Sequence, residues 1–468
     1  MYVRVKNLFI AALLTIGFAG AALADLADRI DGIISRGTQK RVQFSINVIK
    51  ADSAETLYSL NPNTALVPAS NMKIITTAAA LKYLGPNYQY KTTIGLWDQM
   101  LVIIGSGDPL LGDKATDAKY GKQQGWIFDD IAAALKRNGI KTLKGIIVDS
   151  SIFDDQRVHP NWPKDQLNRW YACEVSGLNY NGNCIDLTVQ NVSGNLIVSL
   201  EPKTDFIKII NKVRPISKGK SAVGAYRTLE ANKIILKGKC KKQEGPFSVA
   251  IEKPAEFFAS LSAQNLVAAG ISVEGQLVEK QVQRDCGVAV LTEFTHTMAD
   301  CLARCNKDSF GLAAEALLKT IAANSNPDRK NGGWPTGRMI ISNFLSQLGI
   351  DQSEFCIDDA SGLSRENKLS ANAVTNVLAY VYKSADWTLY RDSLAAGGLD
   401  GTIRRYFAEE KYKGKVFGKT GYIAGVKSFS GVCTGNGGDY IFSILANDAN
   451  GRTREVINDI AKAIVDGR

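Results

Sequence analysis

Ser70-Asn71-Met72-Lys73 is the stretch of this chain with the most chemistry in it. In a helix, three residues of separation set a serine and a lysine on one face, about 4.5 Å apart along the axis. A serine hydroxyl attacks a carbonyl carbon once a base takes its proton. Lysine can be that base only when neutral, and burial or a second cation nearby lowers its pKa toward that state. Backbone N–H groups at the start of the same helix can stabilise a developing oxyanion. The spacing alone proves little, because Ser217-Lys218-Gly219-Lys220 repeats it in a Gly- and Lys-rich stretch with no helical pattern, and that copy is read as chance. Ser70 differs in context. Pro68 precedes it, and Met72, Ile75, Ala79, Leu81 and Leu84 follow at roughly helical spacing, so a buried helix is expected to start near Ser70.

Lys419-Thr420-Gly421 is the only K-[ST]-G in the chain and follows strand-like Val416-Phe417-Gly418. A strand edge beside a serine-bearing helix binds an extended peptide through main-chain hydrogen bonds. Lys419 and Thr420 would hold a substrate carboxylate there, and Gly421 would let backbone approach backbone. Only two histidines are present, His159 and His296, far apart in sequence. That argues against a multi-histidine zinc site and leaves few partners for a Ser-His-Asp triad. The general base of a hydrolase has to come from elsewhere, and neither metal nor cofactor is expected. Gly105-Ser106-Gly107-Asp108-Pro109 is a turn cluster without the lysine and helix of a phosphate loop.

These residues need a scaffold. The 468 residues are 45% hydrophobic and 22% charged, a globular composition with room for two to four domains and not a disordered or fibrous one. Val42, Phe44, Ile46 and Val48 alternate as in a half-buried strand, Asp52 and Ser53 make a turn, and Thr56–Leu60 reads as its hairpin partner. Residues 89–289 are dominated by short strand-like segments such as Leu101–Ile104, Gly145–Val148 and Leu187–Val189. The last third returns to helices: 300–323 is expected to be largely helical, and Ser370 to cap a helix with Val374, Val377, Leu378 and Val381 on its core face. Strands are expected at 414–422, 426–433 and 440–446, then a C-terminal helix burying Val456, Ile460 and Ile464. The expected fold class is α/β (α+β): an antiparallel sheet flanked by helices over 25–88 and 290–468, with a mostly-β insertion at 89–289.

Arg4 and Lys6, the apolar run 8–14 and Ala22-Leu23-Ala24 before Asp25 form a cleavable export signal over residues 1–24. A periplasmic or otherwise exported protein with no transmembrane anchor after signal removal is expected. The net charge is +10. It attracts polyanions such as wall polymers or anionic lipid headgroups, although no nucleic-acid partner is expected. The basic residues read as scattered, and the densest run, Lys237-Gly238-Lys239-Cys240-Lys241-Lys242, as a solvated basic loop. Cys173, Cys184, Cys240, Cys286, Cys301, Cys305, Cys356 and Cys433 read as structural, and an oxidising compartment permits up to four disulfides among them.

S-x-x-K followed late by K-T-G resembles the signature of penicillin-binding proteins and serine β-lactamases. The chain is most similar to the class C low-molecular-mass group, the D-alanyl-D-alanine carboxypeptidases and endopeptidases. Gly105–Pro109, Asn306-Lys307-Asp308-Ser309, Asp359-Ala-Ser-Gly-Leu-Ser-Arg365 and Asp400-Gly-Thr402 carry the resemblance through nearly the whole chain after the signal. So does the long interval between Lys73 and Ser309, far longer than in β-lactamases. The resemblance implies a penicillin-binding/β-lactamase-like transpeptidase domain. Its nucleophile would be Ser70, its base Lys73 and its proton relay Ser309. Lys419, Thr420 and Gly421 would bind substrate, and the N–H groups of Ser70 and Tyr422 would form the oxyanion hole. Peptidoglycan stem peptides and β-lactam antibiotics are the implied partners.

One motif departs from the pattern. The family's S-x-N falls here on Ser309-Phe310-Gly311, so the serine stays and the asparagine is lost. The literal S-x-N strings at Ser45, Ser59, Ser193 and Ser370 lie in a hairpin, a turn and a helix cap. The lost asparagine would hold a substrate amide and help place the lysine, a contact of about 1–3 kcal/mol. A bound substrate group or Asn71 stands as a candidate replacement. An alternative is therefore a catalytically weakened peptidoglycan-binding scaffold protein.

Overall fold

The computed structural model describes residues 26–283 and 287–467. The expected signal segment and Cys286 lie outside the described residues. The chain divides into two compact units. One draws on the chain up to Lys82, on Leu302–Ser309 and on everything from Ile341; the other is Tyr83–Cys301 with Phe310–Ile340. Residues 310–340 thus count with the second unit, so this division and the expected 89–289 insertion do not share boundaries.

The first unit is built on a six-stranded, wholly antiparallel sheet. Its order is Ala395–Ala396, Val416–Ile423, Val426–Gly435, Gly438–Asn447, Gln43–Lys50, Thr56–Leu60. Phe44, Ile46 and Val48 join Phe429, Phe442 and Ile444 on one face. There they meet Val456, Ile457, Ile460 and Ile464 of the helix Thr453–Asp466, and Leu26 and Ile30 of the helix 26–34. The expected cap is present: Ser370 Oγ accepts from Ala373 N at 2.8 Å and starts the helix Ala371–Tyr382.

The strand Gln43–Lys50 is not half-buried as its alternation suggests. It is covered on both faces. The polar positions face the helix Ala371–Tyr382, not water: Ser45 Oγ accepts from Ala371 N at 3.0 Å, and Asn47 Nδ2 donates to Thr375 Oγ1 at 2.8 Å. Buried polar groups are tolerated where each finds a partner. The expected helix over 300–323 is also two helices, Met298–Asn306 and Gly311–Ser325. The break carries Ser309 at φ +61°, a left-handed conformation that ends one helix and is rare for a residue with a side chain.

The second unit holds a five-stranded mixed sheet, ordered Leu277–Glu279, Gly145–Asp149, Met100–Ile104, Gln89–Trp97, Ala289–Thr297. Beside it are two three-stranded sheets, Gln243–Ala250/Cys184–Val192/Asn195–Glu201 and Ala222–Arg227/Lys233–Cys240/Lys208–Pro215. Phe128 and Tyr180 pack with Phe257 and Phe258 of the helix Pro254–Ala268 in its core. His296 Nδ1 lies 2.6 Å from Asp108 Oδ2 in this unit, a buried pair. Cys173, Cys184, Cys240, Cys356 and Cys433 carry free thiols, so the permitted four disulfides are not formed. Burial pushes the Cys173 thiol up to about 12, which leaves it protonated and unreactive. No helix among the described residues is long and apolar enough to cross a membrane.

Candidate active site

Ser70 is the middle residue of the 3₁₀ turn Ala69–Asn71, which runs directly into the helix Met72–Leu84. Two glycines press on the peptide that carries its N–H. A Cβ on Gly362 would lie 1.8 Å from Ala69 O and 3.0 Å from Ser70 N; one on Gly421 would lie 2.8 Å from Pro68 O and 3.0 Å from Ser70 N. Gly362 also sits at φ +81°, which a side chain rarely adopts. The turn is tied to the sheet below it. Asn71 Nδ2 donates to Ser430 Oγ at 2.6 Å, Ser430 Oγ bonds Ser443 Oγ at 2.8 Å, and Ser428 Oγ donates to Pro68 O at 2.7 Å.

The expected pair forms. Lys73 Nζ lies 3.2 Å from Ser70 Oγ and donates to Ser361 O at 2.6 Å, and Lys73 is almost wholly buried. Ser361 belongs to the Asp359–Arg365 segment, held by the buried Asp359 carboxylate. That carboxylate accepts from Gly362 N and from Ser364 N, each at 2.7 Å. On the opposite wall, fully buried Lys419 Nζ donates to Ser309 Oγ at 2.9 Å and to Thr420 O at 2.7 Å. Burial, and then the charge of Lys73, hold the Lys419 amine well below the usual lysine range. Ser70, Lys73, Ser309 and Lys419 therefore form one cluster within the first unit, with two amines bracketing two hydroxyls.

The strand Val416–Ile423 supplies the open side. Its outer neighbour is only two residues long and pairs with Phe417 and Gly418, so no strand among the described residues covers the edge from Lys419 to Ile423. Thr420 Oγ1 donates to Thr402 Oγ1 at 2.9 Å. Tyr422 is 70% exposed beside it. Behind the edge, Arg454 donates to Gly421 O at 2.9 Å and to Ser428 O at 3.2 Å, clamping a residue pair that faces across two strands.

A match to the D-Ala-D-Ala carboxypeptidase 3 (S13) family runs over residues 26–466. The chain belongs to that family. It is 27% identical to the D-alanyl-D-alanine carboxypeptidase of Actinomadura sp. (strain R39), over 94% of this chain and 84% of that protein. The crystal structure of penicillin binding protein 4 (dacB) from Haemophilus influenzae superposes with a TM-score of 0.78 at 21% identity, covering 94% of this chain and 98% of that one. A second structure of that protein, complexed with a novel β-lactam, gives 0.73 at 20% identity over the same shares. These likenesses establish the fold as penicillin-binding-protein-like, with antiparallel sheets and flanking helices.

Within this S13 carboxypeptidase, Gly311 is the first residue of its helix and has no side chain to offer. Asn71 is not a replacement that faces substrate. It is fully buried, with its Nδ2 bonded to Ser430 beneath the turn and its Oδ1 buried without a partner. Ser361, Thr402 and Arg454 take part in the site but carry no role in the sequence reading. Ser361 and Thr402 lie within two of the quoted family segments; Arg454, on the C-terminal helix, has no local signal. The chance S-x-x-K at Ser217 lies in an exposed loop between two strands, without a helix. The two histidines both lie in the second unit.

Proposed function

We propose that Ser70 attacks the carbonyl between the two terminal D-alanines of a peptidoglycan stem peptide. The contact between Ser70 Oγ and Lys73 Nζ, with a second buried amine on Ser309, carries this reading. Lys73 takes the Ser70 proton as the oxygen bonds to the carbonyl carbon. The backbone N–H groups of Ser70 and Tyr422 receive the oxyanion. Collapse breaks the C–N bond, and Ser309 relays the proton held by Lys73 to the departing amine of D-alanine, which leaves the lysine neutral, while the carboxylate of that D-alanine rests on Lys419 and Thr420. Water, activated by the same lysine, hydrolyses the Ser70 ester. β-Lactams acylate Ser70 by the same route, with the ring amide in place of the peptide bond. The reaction takes place outside the cytoplasm, following the export signal at 1–24, and the 89–289 segment is an insertion in the catalytic domain.

Gly311 favours a second reading, a catalytically weakened peptidoglycan-binding scaffold protein, and an endopeptidase that cuts cross-links with the same residues is a third. One experiment separates these readings: wild type and Ser70→Ala are incubated with a fluorescent penicillin and with purified muropeptides. Labelling and D-alanine release, both lost in Ser70→Ala, support the carboxypeptidase. Cross-link cleavage without D-alanine release supports an endopeptidase. Labelling with neither product supports the weakened form, and Gly311→Asn then gains activity. Absence of labelling in wild type overturns the assignment.

A further inference from the structure

The net charge of this chain sits almost entirely in one place. Residues 208–242 contain eleven Lys and Arg and one acidic residue, Glu230, a net of +10; the rest of the chain holds 45 basic and 45 acidic residues. The run Lys237–Lys242, which reads as a solvated loop, is for the most part a strand. Lys233–Cys240 is the middle strand of a three-stranded sheet, between Lys208–Pro215 (parallel) and Ala222–Arg227 (antiparallel).

Strand alternation sorts this segment. Ile234, Leu236 and Cys240 are buried against the core with Val213 and Ala225. The other face is open, and in register it sets Lys237 opposite Lys212 and Lys239 opposite Arg214, all four exposed. With strands about 4.8 Å apart and alternate residues about 6.6 Å apart, four cations occupy a rectangle of roughly 5 by 7 Å. Like charges directly opposite each other destabilise a sheet. Among the described residues none of the four has an acidic partner within ion-pair distance, whereas Lys208 and Lys233, at the far end, share Glu230 at 3.4 and 2.7 Å. Lys218, Lys220, Lys241 and Lys242 extend the unpaired end, all exposed. The third strand places only Ala222 and Gly224 opposite Lys239 and Lys237, so no acidic side chain faces the cationic row on that flank.

We propose that this face is a docking track for an extended, phosphate-bearing polymer of the cell envelope, lying along the strands. A row two strands wide matches a linear polyanion. It matches a bilayer less well, because the exposed apolar side chains here are Tyr226 and, beyond the end of its strand, Leu229, with none among Lys212, Arg214, Lys237 and Lys239. It does not match single-stranded nucleic acid, which needs stacking platforms, because the one aromatic on the face, Tyr226, lies over Gly224 with Lys237 Nζ 5.5 Å from its ring centroid. Bound to the track, the enzyme stays at the wall on which the proposed reaction acts. Only the location of the polymer rests on that reading.

The test uses the full chain without residues 1–24 and an end-labelled poly(glycerol phosphate) as probe, titrated at several salt concentrations. Four phosphate contacts give a slope of log affinity on log salt of about −2.8, a loss of about 50-fold between 50 and 200 mM. The quadruple variant K212Q/R214Q/K237Q/K239Q is expected to bind at least tenfold more weakly and to lose that much slope. The charge-keeping K212R/K237R/K239R is expected to bind as wild type, which guards against a folding defect. A control, K136Q/R137Q/K141Q/K144Q, removes the same charge elsewhere and is expected to bind as wild type. Unchanged binding by the first variant, equal loss in the control, or stronger competition per phosphate by phosphatidylglycerol vesicles or a dT oligomer overturns the proposal. Penicillin labelling of the same preparations keeps the readings apart: an unlabelled wild type defeats the proposed reaction, whatever the polymer result.

Discussion

Positive charges are brought together twice in this molecule, with opposite results. Lys73 and Lys419 share a buried cleft, where the protein can escape repulsion only by giving up protons, and the Lys419 amine is held far below its ordinary range. Lys212, Arg214, Lys237 and Lys239 share an exposed sheet face, where water and salt screen them. The same clustering of one sign thus lowers the proton affinity of a buried amine in the first case and leaves an exposed basic face in the second. Burial decides which.

The comparison breaks most visibly at Lys73. Lys73→Met removes the proposed base while keeping the volume, and the rate of Ser70 acylation by a fluorescent penicillin is expected to fall about 10²–10⁴-fold. A variant that acylates at the wild-type rate would mean that the buried pair is not the source of the reactive hydroxyl. The next effect is on stability. Because the folded state holds the Lys419 amine below its unfolded value near 10.5, the unfolded chain binds more protons between those two points. Stability therefore rises as pH climbs through that window. Lys419→Met removes the dependence, so it is expected to melt above wild type at pH 7, with the gap closing toward pH 10.5. A gap that stays constant with pH would show ordinary packing instead. The smallest effect belongs to the open face: Lys237→Glu turns a repulsive cross-strand pair into an attractive one and is expected to raise Tm by about 1–2 °C, less at high salt.

The two regions also differ in how far the sequence exposes them. The site is written in short strings: Ser70 to Lys73 is local, Lys419 to Gly421 is local, and each announces its helix or strand. The hairpin Thr56–Leu60, the cap at Ser370 and the buried face of the last helix were legible for the same reason, that one element's pattern suffices. The basic face was not. It depends on a parallel register between Lys208–Pro215 and Lys233–Cys240, two strands with a third lying between them in sequence, and no local pattern gives that offset. The break at Lys307–Phe310 escaped because its flanks are good helix formers, and the left-handed Ser309 is imposed by the fold. Ser45 and Asn47 misled for a related reason: polar alternation signals water only when no helix arrives to take the hydrogen bonds.

The two-residue strand Ala395–Ala396 sets a ruler. Beyond it, five residues of the neighbouring strand stand unpartnered, from Lys419 to Ile423. At about 3.4 Å per residue that gap measures roughly 17 Å. An extended peptide lying along that edge in the proposed reaction has room for about five residues before it meets Ala395–Ala396. The place where the short strand stops thus sets the length of free backbone offered at that edge.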